Sequence, residues 1–203
     1  MDDCCEDAAC GLDENQGRQK SALIIVLFIN AVMFVVEITA GILANSTALL
    51  ADSLDMLGDA LVYSFSLYVI KRNDRWKAIS ALIKGGIMAA FGFFVLAQAV
   101  YKVIHPQTPV YETIGFIGFL ALLANSFCLY ILWRHRKDDI NMRSVYICSR
   151  NDIFANTGVI LAGAGVWFTN TQWPDLAIGL VIAFIVLRSS FHVIREAIKI
   201  YQK

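Results

Sequence analysis

Three aspartates lie inside a stretch of the chain that is otherwise apolar. Asp52, Asp55 and Asp59 stand at positions i, i+3 and i+7, a spacing that places them along one face of a helix. An ionised side chain at the centre of a bilayer costs at least about 2.5–3.5 kcal/mol on insertion scales. We therefore predict that the acids on this helix face serve a function beyond packing.

A second polar pair lies in another apolar stretch. Cys148 and Asp152 stand at i, i+4, with Asn156 one turn further on the same helix face. Together with Asp55 and Asp59 they supply three carboxylates and one thiol, which is the number of ligands that a tetrahedral divalent metal ion takes. We predict that Asp55, Asp59, Cys148 and Asp152 form a metal site.

The chemistry of such a site predicts its coupling to protons. Neighbouring carboxylates in hydrocarbon cannot all remain ionised without a cation, because desolvation and mutual repulsion both oppose their charge. Metal ligation requires deprotonated ligands, so metal binding expels protons and protonation expels the metal. We therefore expect exchange of the metal for protons as the counter-ion.

Other polar residues near these pairs have less definite roles. Glu37 and Asn30, seven residues apart in the first apolar stretch, either line a polar pathway or hold helices together by hydrogen bonds. Asp52 and Asn156 are accessory candidates for the same pathway. As an alternative, the buried acids pair with cations within the apolar stretches, namely Lys84, Arg150 and Arg188.

The acidic N-terminal segment carries three further thiols, Cys4, Cys5 and Cys10. We weigh two interpretations equally: the thiols capture a soft metal ion, or the segment is a disordered acidic tail. We expect residues 1–20 to form a tail without a cleavable secretory signal, and residues 21–203 to form the membrane domain.

These residues must be positioned by membrane-spanning helices. Hydrophobic residues make up 58% of the chain and charged residues 17%, and the apolar runs reach the roughly 20 residues that cross a bilayer as helix. Lipid offers no partners for open backbone groups, so the runs must be helical. We predict an all-α bundle of six spans: 21–43, 47–70, 78–104, 113–133, 145–168 and 176–200.

The distribution of basic residues predicts orientation. Lys and Arg cluster before the first span, after the second and after the fourth, whereas the alternate connections lack them, which places both termini in the cytoplasm. The lipid bilayer is the expected environment. The formal net charge is zero, so we expect no nucleic-acid partner.

The two ligand pairs do not lie at matching depths when spans are counted at about 1.5 Å per residue. The pair in the second span lies about two helical turns nearer the outer face than the pair in the fifth. Helix tilt, or a fifth span that begins before Val145, would close this gap.

Taken together, the motifs resemble those of the cation diffusion facilitator family. The resemblance rests on Asn30 with Glu37, on the run from Asn45 to Asp52 that leads into Asp55-x-x-x-Asp59, on Asn141-Met-Arg-Ser before Cys148-x-x-x-Asp152, and on Pro174-Asp175. It implies a non-enzymatic efflux transporter that exchanges a divalent metal for protons and carries no cofactor. It further implies a homodimer in a bacterial inner membrane, in a short form without the family's C-terminal cytoplasmic domain.

Cys148 stands where the family commonly has His. A thiolate favours softer ions, so we expect zinc first, with cadmium, cobalt, nickel or mercury as alternatives. Two other functions stay open. The chain is a membrane-bound metal sensor or scaffold without transport activity, or it is a proton-coupled carrier of a small organic cation.

Overall fold

The computed structural model describes residues 3–69, 74–135 and 140–201, while several side chains within them, including those of residues 3–19 and Cys148, lie outside the description. The described residues form helices and no strand, which confirms the all-α prediction. In chain order the helices are α1 (Asp3–Leu43), α2 (Thr47–Val69), α3 (Asp74–Ile104), α4 (Tyr111–His135), α5 (Ile140–Thr169) and α6 (Trp173–Tyr201).

Five of these helices are long and apolar enough to cross a membrane. The exception is α2, which at 23 residues has the length but carries Asp52, Asp55 and Asp59. Large apolar side chains such as Phe116, Phe168 and Phe184 are exposed on the outside of the bundle, as expected for a surface that faces lipid. The chain is a multi-pass membrane protein.

The acidic helix α2 lies at the centre of the bundle. It packs against α1, α3, α5 and α6, and the surrounding helices contact one another in the order α1, α4, α5, α6, α3. Every side chain from Ala48 to Leu54 is buried. The remaining helices thus shield Asp52 from lipid.

The start of α2 is fixed by a short turn and a cap. Asn45 has a positive φ of 52°, which asparagine tolerates better than most residues. Ser46 then caps the helix, since its hydroxyl oxygen accepts a hydrogen bond from the backbone N–H of Leu49 at 3.1 Å. A second cap comes from Asp175 on α6, which accepts hydrogen bonds from the backbone N–H groups of Thr47 and Ala48.

Two helix boundaries bear on the sequence predictions. The N-terminal segment predicted as a tail forms the first part of α1, which begins at Asp3. Helix α5 begins at Ile140, five residues before the predicted start of the fifth span at Val145. This early start moves Cys148 and Asp152 away from the end of the helix, in the direction that closes the predicted difference in depth.

Candidate functional site

A cavity of about 600 Å³ lies between α2, α3, α5 and α6. Asp55 and Asp59 from α2 and Asp152 from α5 all line it. The rest of its wall is largely apolar, with Met88 from α3 and Ile182 from α6 among the lining side chains. The fold therefore brings Asp55 and Asp59 of the first predicted pair and Asp152 of the second to one cavity.

Two of the three cavity carboxylates are nearly buried. Asp59 is 8% exposed and Asp152 is 7% exposed, so an ion that reaches them must leave most of its water behind. In such surroundings a carboxylate attracts a cation far more strongly than it does in water. Asp59 and Asp152 are thus largely withdrawn from water.

Tyr63 orients one of these acids. Its hydroxyl donates a hydrogen bond to Asp59 Oδ2 at 2.5 Å, and its side chain is fully buried. Tyr63 stands at i+4 from Asp59, on the acidic face of α2. The sequence analysis did not single it out, although a hydroxyl that extends the acidic stripe by one turn was the available signal.

The fourth predicted ligand, Cys148, lies on α5 one turn before Asp152, and its side chain is outside the described set. Among the side chains that are described, no group of three or more His, Cys, Asp or Glu could hold a metal ion. The four-ligand metal site, with its three aspartates and the thiol of Cys148, thus stays a prediction from spacing. The thiols of Cys4, Cys5 and Cys10 also lie outside the described side chains.

A second set of acids lies deeper in the bundle. The side chains of Glu37 and Asp52 are fully buried, and their carboxylate oxygens make no hydrogen bond with any described residue. Glu37 lies on α1 and Asp52 on α2, two helices that pack against each other.

The two accessory amides are anchored within their own helices. Asn30 donates a hydrogen bond to the carbonyl of Val26 at 2.9 Å, and its Nδ2 lies 4.0 Å from the Sγ of Cys128 on α4. Asn156 donates to the carbonyl of Asp152 at 2.6 Å. Asn30 therefore links α1 with α4, whereas Asn156 is hydrogen-bonded to the backbone of the cavity acid Asp152.

The cations considered as alternative partners differ in their surroundings. Arg150 and Arg188 are exposed, and the side chain of Lys84 lies outside the described set. The one buried lysine among the described residues is Lys102, which is 2% exposed and lies in the last turn of α3. Sequence analysis missed Lys102, because a lysine at the end of a span resembles a residue that reaches for the membrane surface.

Known proteins with sequences similar to this chain are metal transporters. Residues 23–200 match the model of the cation efflux transmembrane domain. A cadmium, cobalt and zinc/H(+)-K(+) antiporter of Bacillus subtilis is 27% identical over 94% of this chain and 66% of its own length. The zinc transporter ZitB of Yersinia pestis is 22% identical over 90% of this chain and 63% of its own length.

The metal cation efflux system protein CzcD of Cupriavidus metallidurans is 23% identical over 91% of this chain and 65% of its own length. The chain thus spans slightly less than two thirds of the length of these curated relatives.

Proposed function

Since the chain belongs to the cation efflux family, whose transmembrane model matches residues 23–200, we propose that it exports a divalent metal ion through the cavity between α2 and α5. The observation that carries this proposal is the convergence of Asp55, Asp59 and Asp152 on one cavity. Cys148, one turn from Asp152 on α5, is the proposed fourth ligand. This set supplies the four ligands of a tetrahedral ion.

Zinc is the proposed principal cargo, with cadmium and cobalt next. The names of the relatives mention these three metals, and a site of three carboxylates with one thiolate suits ions of intermediate softness. Nickel and mercury are weaker candidates on the same chemical argument.

Protons are the proposed counter-ions. Asp55, Asp59 and Asp152 must lose their protons to bind metal, so protonation from one side of the membrane releases the ion. The Bacillus relative is named as an antiporter that uses H⁺ and K⁺. Inward proton movement would then drive metal export.

Location and assembly follow from the sequence patterns. The Lys and Arg distribution supports cytoplasmic termini, and the family resemblance supports a homodimer in a bacterial inner membrane. The end of the bundle that holds the α1–α2 turn would then face outward. The α6 residues that line the cavity run from Ile178 to Val193, away from that end and toward the proposed cytoplasmic side.

Metal flux into inverted vesicles with an imposed pH gradient tests the proposal. Asp59→Asn and Asp152→Asn should each lower zinc flux at least about tenfold, the lower end of what loss of a supporting residue at a metal site costs. Glu112→Gln is the matched control, since Glu112 is an exposed acid at the start of α4. Undiminished flux in both aspartate variants would overturn the site assignment.

A further inference from the structure

A network of hydrogen bonds, most of them buried or partly buried, ties together one end of the bundle. We call it the turn-end network. It joins the α1–α2 turn, the first residue of α2, the last turn of α3, the α3–α4 loop and the start of α6. Its residues are Asn45, Ser46, Thr47, Lys102, Gln107, Gln172 and Asp175. None of these contacts belongs to the metal cavity.

Asp175 holds the start of α2 through both carboxylate oxygens. Oδ1 accepts hydrogen bonds from the hydroxyl of Ser46 at 2.5 Å and from the N–H of Ala48 at 3.1 Å, and Oδ2 accepts one from the N–H of Thr47 at 2.6 Å. The positive end of the α2 dipole also favours a carboxylate at this place. Asp175 is 1% exposed, so water does not compete for these bonds.

Lys102 on α3 forms hydrogen bonds with the same turn. Its ammonium donates to the carbonyl of Asn45 at 2.7 Å and to the hydroxyl of Thr47 at 3.0 Å. The amide nitrogen of Gln172 donates to the carbonyl of Lys102, and the Gln172 side-chain oxygen accepts from the N–H of Gln107. A buried cation and a buried anion thus hold the start of α2 from two different helices.

Helix α6 also touches the start of α2 directly. Gly179 follows Asp175 by one turn, and a Cβ at this position would lie 2.7 Å from the carbonyl carbon of Thr47. Only glycine allows this backbone approach. At this contact the backbones of α2 and α6 approach each other closely, on the turn side of the cavity.

We propose that the turn-end network is a gate that closes the metal cavity toward the α1–α2 turn and that opens when α2 separates from α6 and α3. The helix that it holds carries Asp55 and Asp59, so opening the gate and moving the ligands are one motion. Hydrogen bonds suit a contact that must break and re-form, because water can replace each lost partner once the gate opens. This inference rests on the proposed transport function.

Thiol labelling from each side of the membrane tests the gate without any metal. Ile178→Cys places a reporter on the cavity wall. Thr108→Cys and Lys20→Cys, at exposed positions on the two ends of the bundle, identify the two sides. An impermeant maleimide and peptide mass spectrometry then read each cysteine separately.

In the wild-type background the reporter should react from the Lys20 side and little from the Thr108 side. Lys102→Met, Asp175→Asn and Gly179→Ala should each raise labelling from the Thr108 side about fivefold or more, as expected when a minor open state of roughly 0.1–10% gains population. Glu112→Gln, an exposed charge change at the same end, should leave labelling unchanged.

Cys128 reports on folding, because it is fully buried and should stay unlabelled in every variant that is used. Lys102→Met decides the question if Asp175→Asn does not fold, since it leaves the Asp175 cap intact. Unchanged sidedness in folded Lys102→Met and Gly179→Ala would overturn the gate and leave a static clamp. The proposed function fails separately, through the flux of Asp59→Asn and Asp152→Asn.

Discussion

The hydroxyl of Tyr63 donates a hydrogen bond of 2.5 Å to Asp59 Oδ2. The two residues are one helical turn apart on α2. Tyr63 is fully buried, whereas Asp59 lines the cavity. One carboxylate oxygen is thus engaged by the protein, which fixes the direction of the other. In metal sites a supporting hydrogen bond of this kind orients the ligand, and Asp59 is a proposed ligand here.

Tyr63→Phe should therefore weaken metal binding while the fold is kept. We expect the KM for zinc flux to rise about 10–100-fold, the usual effect of losing a residue that supports a metal ligand. Tyr130→Phe, at an exposed tyrosine of α4, is the control and should behave like wild type. An unchanged KM in Tyr63→Phe would show that Asp59 needs no such support.

Gly179→Ala should lower thermal stability, because its Cβ would lie within 2.8 Å of the Thr47 backbone. Overpacking of this kind typically costs about 1–3 kcal/mol. Gly86→Ala on α3 is the matched control, since nothing lies within 4 Å of the added Cβ. The control should gain up to about 1 kcal/mol from helix propensity. Thermal unfolding in detergent measures both, and equal midpoints would contradict the close contact of α6 with α2.

Two buried aspartates should respond in opposite ways to the same change. Asp175 accepts three hydrogen bonds, so Asp175→Asn should cost several kcal/mol, at about 1.5–3 kcal/mol for each bond to a charged group. Asp52 accepts none from the described residues. Asp52→Asn should be neutral or stabilising, because burying an unpaired carboxylate costs more than burying an amide of the same shape.

Thermal unfolding of both aspartate variants at pH 7 checks this contrast. A loss of stability in Asp52→Asn as large as that in Asp175→Asn would mean that Asp52 has a partner among the residues outside the description.

Substitution of Cys148 should change the metal preference rather than the fold. Cys148→Ser removes the soft ligand, so cadmium flux should fall more than cobalt flux, by about tenfold in the ratio. Cys148→His should retain zinc flux, since imidazole is a good zinc ligand. Cys128→Ala, at a thiol buried between α1 and α4, is the control. Equal losses of cadmium flux and cobalt flux in Cys148→Ser would contradict the proposed role of the thiol as a metal ligand.

The sequence predicted which acids line one cavity, because their positions follow helical periodicity. Asp55, Asp59 and Asp152 share a cavity because residues at i+4 lie on one face and because charged groups must turn away from lipid. The sequence did not predict where α5 begins, because the residues from Ile140 to Arg143 have the composition of a polar connection although they belong to the helix.

The turn-end network was beyond sequence reasoning for a physical reason. Its bonds join residues far apart in the chain, such as Ser46 and Asp175, which are separated by 129 positions. Lys102 and Gln172 lie at helix ends, where polar residues usually face the membrane surface. Only the packing of α3 and α6 against the start of α2 shows that these two side chains are buried.

X-ray absorption at the cadmium edge tests the central claim most directly. The protein for this measurement carries Ser at positions 4, 5 and 10, so that the N-terminal thiols do not contribute. One sulfur ligand with three oxygen ligands should surround the bound ion, and Cys148→Ser should remove the sulfur while Asp152→Asn weakens binding. A first shell without sulfur that neither substitution alters would contradict a transport site made of Asp55, Asp59, Cys148 and Asp152.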